Sequence, residues 1–261
     1  MASLDHLSYS SVSSYQLCGR AWRFKYVDKI QVPASPSLVF GSAFHGTLEA
    51  LIRRRYAEPE NVLWPVAEVW PEHWTKTQQQ EIDWQGEVPE ELSNLGLRML
   101  SHKTTLDLLD SITPQVDGAG EPVIELRVEL RVPGVPIPVI GFIDLITADG
   151  VPCDIKTSAR AWSQEKAAEE MQPLFYHAAL NQMGYTQNPT MTFRHYVFTK
   201  TRTPSAAAFE TRHTPAQLFW LFGAIREVWR AIDAGVFPPN PGSWLCSERW
   251  CSYYKMCRGK R

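Results

Sequence analysis

Long hydrophobic runs are missing from this sequence of 261 residues. No apolar stretch approaches the roughly 18 residues that a membrane-spanning helix needs, so no such helix is expected. The first residues, MASLDHLSYSSVSSYQ, lack a basic start followed by an apolar core, and they do not read as a secretory signal. A cytoplasmic protein is the expectation. Net charge is nearly absent too: 26 lysines and arginines stand against 28 aspartates and glutamates. That balance excludes a globally basic coat for nucleic acid but leaves room for a local basic groove. A Gly-x4-Gly-Lys-Ser/Thr phosphate loop does not occur, so any unwinding of a duplex would have to come from a partner. Tight Cys-x2-Cys pairs, internal repeats and low-complexity segments are absent as well.

What remains is an ordinary globular composition, 44% hydrophobic and 21% charged, with enough length for a sizeable core in one domain that carries an insertion. Five cysteines in a reducing compartment argue for metal ligation before disulfides. Ten tryptophans are many for this length; most serve packing, and some could stack on bases.

The chain is organised around the stretch from Ile140 to Lys156. Ile140, Phe142, Ile143, Leu145 and Ile146 make a β-rich apolar run. Asp149-Gly150 is a hairpin signal, and 151–157 form a second strand. Side chains alternate along a strand, so Asp154 and Lys156 point the same way. Folding back at Asp149-Gly150 brings Asp144 level with Asp154. Two carboxylates and one ammonium thus converge on a sheet, where burial without partners would be costly. A divalent cation and a phosphate would account for the trio.

Before this hairpin, residues 8–30 read as one helix capped by Ser10 or Ser11, with Tyr15, Cys18, Trp22 and Tyr26 on a common face. Arg20, Arg23, Lys25 and Lys29 add local positive charge, which on its own equally suits a solvated helix face. A second helix begins near Leu38 and places His45 and Glu49 one turn apart. Residues 53–118 read as helices with loops at Glu58-Pro59, Trp70-Pro71 and Val88-Pro89, and with a helical stretch from Leu92 to Leu109. Their function is not legible. From Val123 a period-two alternation marks a strand, with Glu125, Arg127, Glu129 and Arg131 on one face. After Lys156, residues 163–183 are helical with a kink or new start at Pro173; Gln172 and Tyr176 stand at i and i+4. Strands at 191–198 and 206–211 follow. Thr214-Pro215 then begins a helix that runs to about Ala234 and ends at Gly235.

In this arrangement the sequence resembles the PD-(D/E)XK nuclease superfamily, and within it the RecB-type exonucleases. The matching motifs are Cys18 with the aromatic and basic residues after it, Gly41-Ser-Ala-Phe-His45, Gly141-Phe-Ile-Asp144, Asp154-Ile-Lys156-Thr-Ser and Gln172-Pro-Leu-Phe-Tyr176. The resemblance covers most of the chain. It implies an α/β, restriction-endonuclease-like core (αβββαβ, a central mixed sheet flanked by helices), with a helical insertion at 46–118, a catalytic sheet at 120–212 and a clamp formed by 240–261 with Cys18. It implies a nuclease that hydrolyses phosphodiester bonds of single-stranded DNA or DNA ends with Mg²⁺ or Mn²⁺. His45, Asp144, Asp154 and the backbone carbonyl of Ile155 would hold the metal. Lys156 would position the attacking water, and Gln172 and Tyr176 would hold the strand or the lysine. An acid on the preceding strand is also expected, with Glu125 chosen over Glu129. Hard oxygen donors with one imidazole agree with this chemistry.

Cys246, Cys251 and Cys257, with spacings x4 and x5, and the distant Cys18 match the subgroup that carries a four-cysteine iron–sulfur cluster, including AddB-type and CRISPR adaptation nucleases. A [4Fe–4S] cluster is expected; zinc on the same thiolates is the alternative. Cys153, beside Asp154 on a strand, points to the opposite buried face. Arg20, Arg23 and Lys25, with Arg249, Lys255, Arg258, Lys260 and Arg261, would form a basic DNA rim; Trp22, Trp244, Trp250 and Tyr253 could stack on bases, and packing around the cluster suits them at least as well. Expected partners are DNA and a helicase, recombination or CRISPR protein, with no membrane. The rival of another class is a cluster-stabilised DNA-binding module without catalysis.

Overall fold

The computed structural model describes residues 4–60, 63–185, 188 and 190–259. Lys260 and Arg261, expected in the basic rim, lie outside the described residues. A two-residue strand, β1 (Leu7–Ser8), leads into helices α1 (Tyr9–Leu17) and α2 (Gly19–Tyr26). Four helices follow: α3 (Pro36–Ala57), α4 (Val66–Thr77), α5 (Pro89–Leu100) and α6 (Lys103–Asp110). Then come strands β2 (Ile124–Leu130), β3 (Val139–Ile146) and β4 (Pro152–Ser158), helices α7 (Gln164–Glu169) and α8 (Gln172–Gln182), and strands β5 (Thr192–Thr199) and β6 (Ser205–Arg212). The chain closes with α9 (Pro215–Asp233) and the short α10 (Tyr254–Arg258). Among the described residues, no helix is long and apolar enough to cross a membrane.

The six strands form one mixed sheet. β3 is its hub: β2 runs antiparallel along it, β1 pairs in parallel with its start, and β4 pairs antiparallel with its end. β4 and β5 are parallel, joined by the α7–α8 crossover, and β6 is antiparallel to β5. Two apolar layers sandwich the sheet. One gathers residues of α1, α2, α8 and α9 around Val128, Leu130 and Ile143. The other gathers α3, α4, α5 and α6 around Cys153, Ile155 and Phe198. Covering both faces suits the largely buried β4 and β5, while β2 and β6 keep exposed polar side chains. The expected αβββαβ order is present as α3, β2, β3, β4, α8 and β5.

Several expected boundaries shift, each for a local reason. The helix expected over 8–30 is two helices, broken at Cys18, whose backbone is extended (φ −167°, ψ 105°). Gly19 lies where a Cβ would come within 3.0 Å of Pro238 Cδ, so the chain turns there to let the C-terminal segment pack. The cap is Ser8 rather than Ser10 or Ser11: its hydroxyl accepts from the Ser11 amide, and the Ser11 hydroxyl accepts from the Ser8 amide. The stretch 92–109 divides at residues 101–102, where the His102 ring caps α6. Trp70-Pro71 is not a loop; Pro71 sits inside α4. There the rings of Trp70 and Trp74 stack at 5.5 Å and pack on Phe40 and Phe44, and this burial outweighs the hydrogen bond that proline cannot make. At Pro173 the structure starts a new helix, α8.

A buried histidine gives the fold a pH signature. His177 is buried on α8, edge-on to Phe193 and 5.8 Å from the ring of His213, and its Nε2 has no hydrogen-bond partner. Burial, reinforced by His213, pushes its pKa down to about 3. Below about pH 6.5 the unfolded chain therefore takes up a proton that the folded chain refuses, and stability falls. Urea titrations should show the wild type losing about 1 kcal/mol more than His177→Gln between pH 6.5 and 5.5. Equal losses would contradict a neutral buried His177.

Candidate active site

The site lies where the sheet opens. The β3–β4 ladder holds at Leu145↔Cys153 and Ile146↔Pro152 and goes no further. On the other side of β3, the β2 ladder skips one position: Glu125, which falls opposite Asp144 between the paired Ile124↔Leu145 and Leu126↔Ile143. Both strands change face there. Ile124 joins one core layer while Val128 and Leu130 join the other, and Leu145 and Ile143 divide in the same way. Glu125 has φ +55°, a left-handed conformation that an ordinary side chain adopts only at a cost. This irregularity takes Glu125 out of the row with Arg127, Glu129 and Arg131. The last three form ion pairs among themselves, as an exposed strand face would.

The opening leaves backbone groups that need partners, and the polar side chains supply them. Asp144 Oδ2 accepts the amide of Ile155 at 2.6 Å, level with Asp154 as the hairpin register requires. Tyr176 donates from its hydroxyl to the carbonyl of Phe142 at 2.5 Å. A chain of contacts then runs inward. Gln172 Nε2 donates to Tyr176 Oη at 2.8 Å, and Lys156 Nζ donates to Gln172 Oε1 at 2.9 Å. Lys156 Nζ also donates to Asp154 Oδ1 at 2.9 Å and lies 2.7 Å from its Oδ2. Asp154 is only 2% exposed. Its Oδ2 makes no hydrogen bond of acceptable angle despite the near ammonium, so one buried oxygen lone pair has no directed partner.

Electrostatics sharpen the picture. Burial alone would lower the pKa of Lys156; the carboxylates of Asp154 and Asp144 outweigh it and hold the ammonium above its ordinary value. Asp144 is held well above the usual carboxylate range, by burial first and then by Asp154. Glu125 is raised by burial and by Glu49. His45, from α3, lies with Nδ1 3.6 Å from Asp144 Oδ2, and burial lowers its pKa, leaving a neutral imidazole. Asp144, Asp154 and Glu125 act on one another, with Lys156 as the cation between the two aspartates, Arg53 the cation beside Glu125, and the His45 imidazole near Asp144. The donor set fits a hard divalent cation. His45, Asp144, Asp154 and the Ile155 carbonyl are the residues that could hold it. Among the described residues, no group of three or more His, Cys, Asp and Glu side chains is already drawn into metal-binding spacing.

Three neighbours of the site had no signal in the sequence. Arg53 bonds Glu49 and the carbonyl of Ile124, tying α3 to β2 beside Glu125. Tyr9 stacks on Phe175, and Glu170 acts on both Tyr9 and Lys156. Tyr9 is more than a hundred residues from the hairpin, and only the β1–β3 pairing brings it there.

At the start of α2, Cys18, Cys246, Cys251 and Cys257 line one cavity of about 240 Å³. All four thiols are free, and burial raises the pKa of Cys251, with the other three adding to it. Cys153 stays apart on the buried face of β4, its thiol pushed up to about 12 by burial. The basic residues of α2 separate: Arg20 reaches the carbonyl of Phe237, Arg23 pairs with Asp28 at 3.2 Å, and Lys25 lines a second groove. Of the four aromatics weighed between stacking and packing, two pack. Trp22 is 1% exposed, packed between Tyr26 and Phe237, and Tyr253 is 8% exposed with its hydroxyl on the Ile30 carbonyl. Helix packing closes over both, so neither offers a face to a base.

A family model for the PD-(D/E)XK nuclease superfamily matches residues 6–258. Among solved structures, the crystal structure of a "Putative exonuclease" from Eubacterium rectale superposes with a TM-score of 0.57 at 12% identity, covering 98% of this chain and 88% of that one. That of SSO0001 gives 0.33 at 13% identity, covering 95% and 96%. No significant match was found among curated proteins.

Gly141 lets α8 reach the site: a Cβ there would sit 2.5 Å from Phe175 and 3.4 Å from Tyr176. Gly141→Ala should cost about 1–3 kcal/mol in urea unfolding, because ring and strand must part. Unchanged stability would show that α8 is not seated on β3 in this way.

Proposed function

The chain belongs to the PD-(D/E)XK nuclease superfamily, and on that premise we propose that it is a Mg²⁺- or Mn²⁺-dependent exonuclease acting on single-stranded DNA or DNA ends. The observation that carries this reading is Lys156, held between Asp154 and Gln172, with Asp154 level with Asp144. A bound divalent cation would supply Lewis acidity toward a phosphoryl oxygen and a more acidic water. His45, Asp144, Asp154 and the carbonyl of Ile155 would hold it. The Lys156 ammonium, kept charged by its carboxylate neighbours, orients the attacking oxygen and donates to the charge that grows on the phosphate. Gln172 fixes the lysine, and Tyr176 fixes Gln172. Glu125 adds a carboxylate on the side of β2. The intact acid–acid–lysine set argues against a purely DNA-binding module. The name of the Eubacterium rectale protein favours exonuclease action.

In the same reading the four cysteines hold a [4Fe–4S] cluster. Their shared cavity supports it, and the wide x4 and x5 spacings with a distant fourth thiolate, in place of tight Cys-x2-Cys knuckles, favour a cluster over zinc. The cluster clamps 240–261 onto Cys18, the sheet at 120–212 carries the chemistry, and 46–118 is a helical insertion whose first turns continue α3. Recombination, repair, phage or CRISPR-linked DNA processing, with a helicase or adaptation partner, is the setting this suggests.

End-labelled DNA digested with Mg²⁺ or Mn²⁺ tests the catalytic assignment. Lys156→Ala should be slower by about 100-fold or more while keeping its fold. Full activity in the variant would remove Lys156 from the mechanism. Protein purified without oxygen should be brown and contain iron and sulfide in equal amounts; zinc in place of iron would overturn the cluster.

A further inference from the structure

We propose that the groove between the C-terminal segment and the start of α3 is a stacking clamp for single-stranded DNA, set about three nucleotides along α3 from His45. The inference rests on the nuclease reading of the site and goes beyond it by fixing where the strand is held. The groove measures about 900 Å³. Trp244 and Trp250 line it, 66% and 50% exposed, with ring centroids 6.2 Å apart and planes at 75°. Trp220 and Phe219 are also open, at 58% and 75% exposed, but they are not among the lining residues of this groove; here two open indoles stand side by side with cations next to them, which suits a flat partner. The guanidinium of Arg249 lies 4.9 Å from the Trp250 ring centroid, and Lys25 lines the same groove. Glu81 is the one acid among the lining residues. Aromatic faces with cations beside them suit bases and phosphates of a single strand, whatever their sequence.

Continuity with the site comes from α3. Leu38, 58% exposed, lines the groove, and His45 lies seven residues further along the same helix, about 10 Å at 1.5 Å per residue. Two helical turns return nearly to the same side, so Leu38, Ser42 and His45 form one track, and Ser42 is exposed between them. At the roughly 3.4 Å rise of stacked nucleotides, that track spans about three of them. A duplex would offer the indoles only stacked, inaccessible base faces, so the clamp selects single strands.

Binding of fluorescein-labelled (dT)12 to the full chain, followed by anisotropy in EDTA, tests this. Trp244→Ala and Trp250→Ala should each weaken binding about 5- to 150-fold. Trp250→Phe, which keeps a ring, should stay within about threefold of wild type. Hydrolysis of bis(p-nitrophenyl) phosphate with Mn²⁺, a diester too small to reach the groove, should be unchanged in all three. Alanine variants that bind within twofold of wild type would overturn the proposal, as would a blunt duplex competing as well as (dT)12. Should the alanine variants lose diester hydrolysis too, Trp250→Phe and Arg249→Gln decide: retained binding in the first with weakened binding in the second supports the clamp, and any other pattern overturns it. A wild type that binds (dT)12 through the tryptophans yet hydrolyses no diester leaves the clamp standing and removes the catalytic reading.

Discussion

The opening between β3 and β4 is the constraint on which the rest of this structure depends. A sheet interior demands that every amide and carbonyl be paired. Here the ladder stops after two residue pairs, and side chains take over the pairing: Asp144 receives the Ile155 amide, and Tyr176 donates to the Phe142 carbonyl. Each of those side chains is then fixed by a backbone group, which orients the rest of the polar network. The opening therefore both requires the polar residues and positions them. Glu125, in its left-handed conformation opposite Asp144, is the matching irregularity on β2. The arrangement draws the Asp144 and Asp154 carboxylates together beside one lysine, with Glu125 acting on both aspartates, a concentration of acids that a divalent cation would suit.

Two further devices hold this opening in place. Gly141 lets α8 lie close enough for Gln172 and Tyr176 to reach in. The N-terminal segment adds β1 beside the start of β3 and then carries Cys18 to the cavity of the C-terminal cysteines, so both ends of the chain pack against the layer that supports the site. The open tryptophans lie on the C-terminal segment beside those cysteines, Trp244 two residues before Cys246 and Trp250 next to Cys251. A metal centre that orders this segment would also order the surface proposed to grip the strand.

Much of this was legible in the sequence, because it depends on local pattern. The hairpin at Asp149-Gly150, the parity that puts Asp154 beside Lys156, and the i, i+4 pair of Gln172 and Tyr176 are all short-range features. The convergence of Cys18 with the C-terminal cysteines followed from resemblance rather than from spacing. What stayed hidden depends on tertiary packing. Strict alternation placed Glu125 with Arg127 and Glu129, and nothing local marks the backbone twist that separates it. Helix periodicity ran through Cys18, because the packing of Pro238 against Gly19 that breaks the helix comes from more than two hundred residues away. Pro71 read as a break, because propensity does not see Trp70 and Trp74 stacking into a core. Trp22 and Trp250 looked alike as candidates for stacking, and only packing divides a buried ring from an open one.

The central claim is that the opening collects its carboxylates to hold a divalent cation. Anomalous diffraction from a crystal of the protein soaked in Mn²⁺ tests it most directly. The account predicts a manganese peak bounded by His45, Asp144, Asp154 and the Ile155 carbonyl. A crystal in which manganese binds elsewhere, with those four groups left as they are, would contradict it.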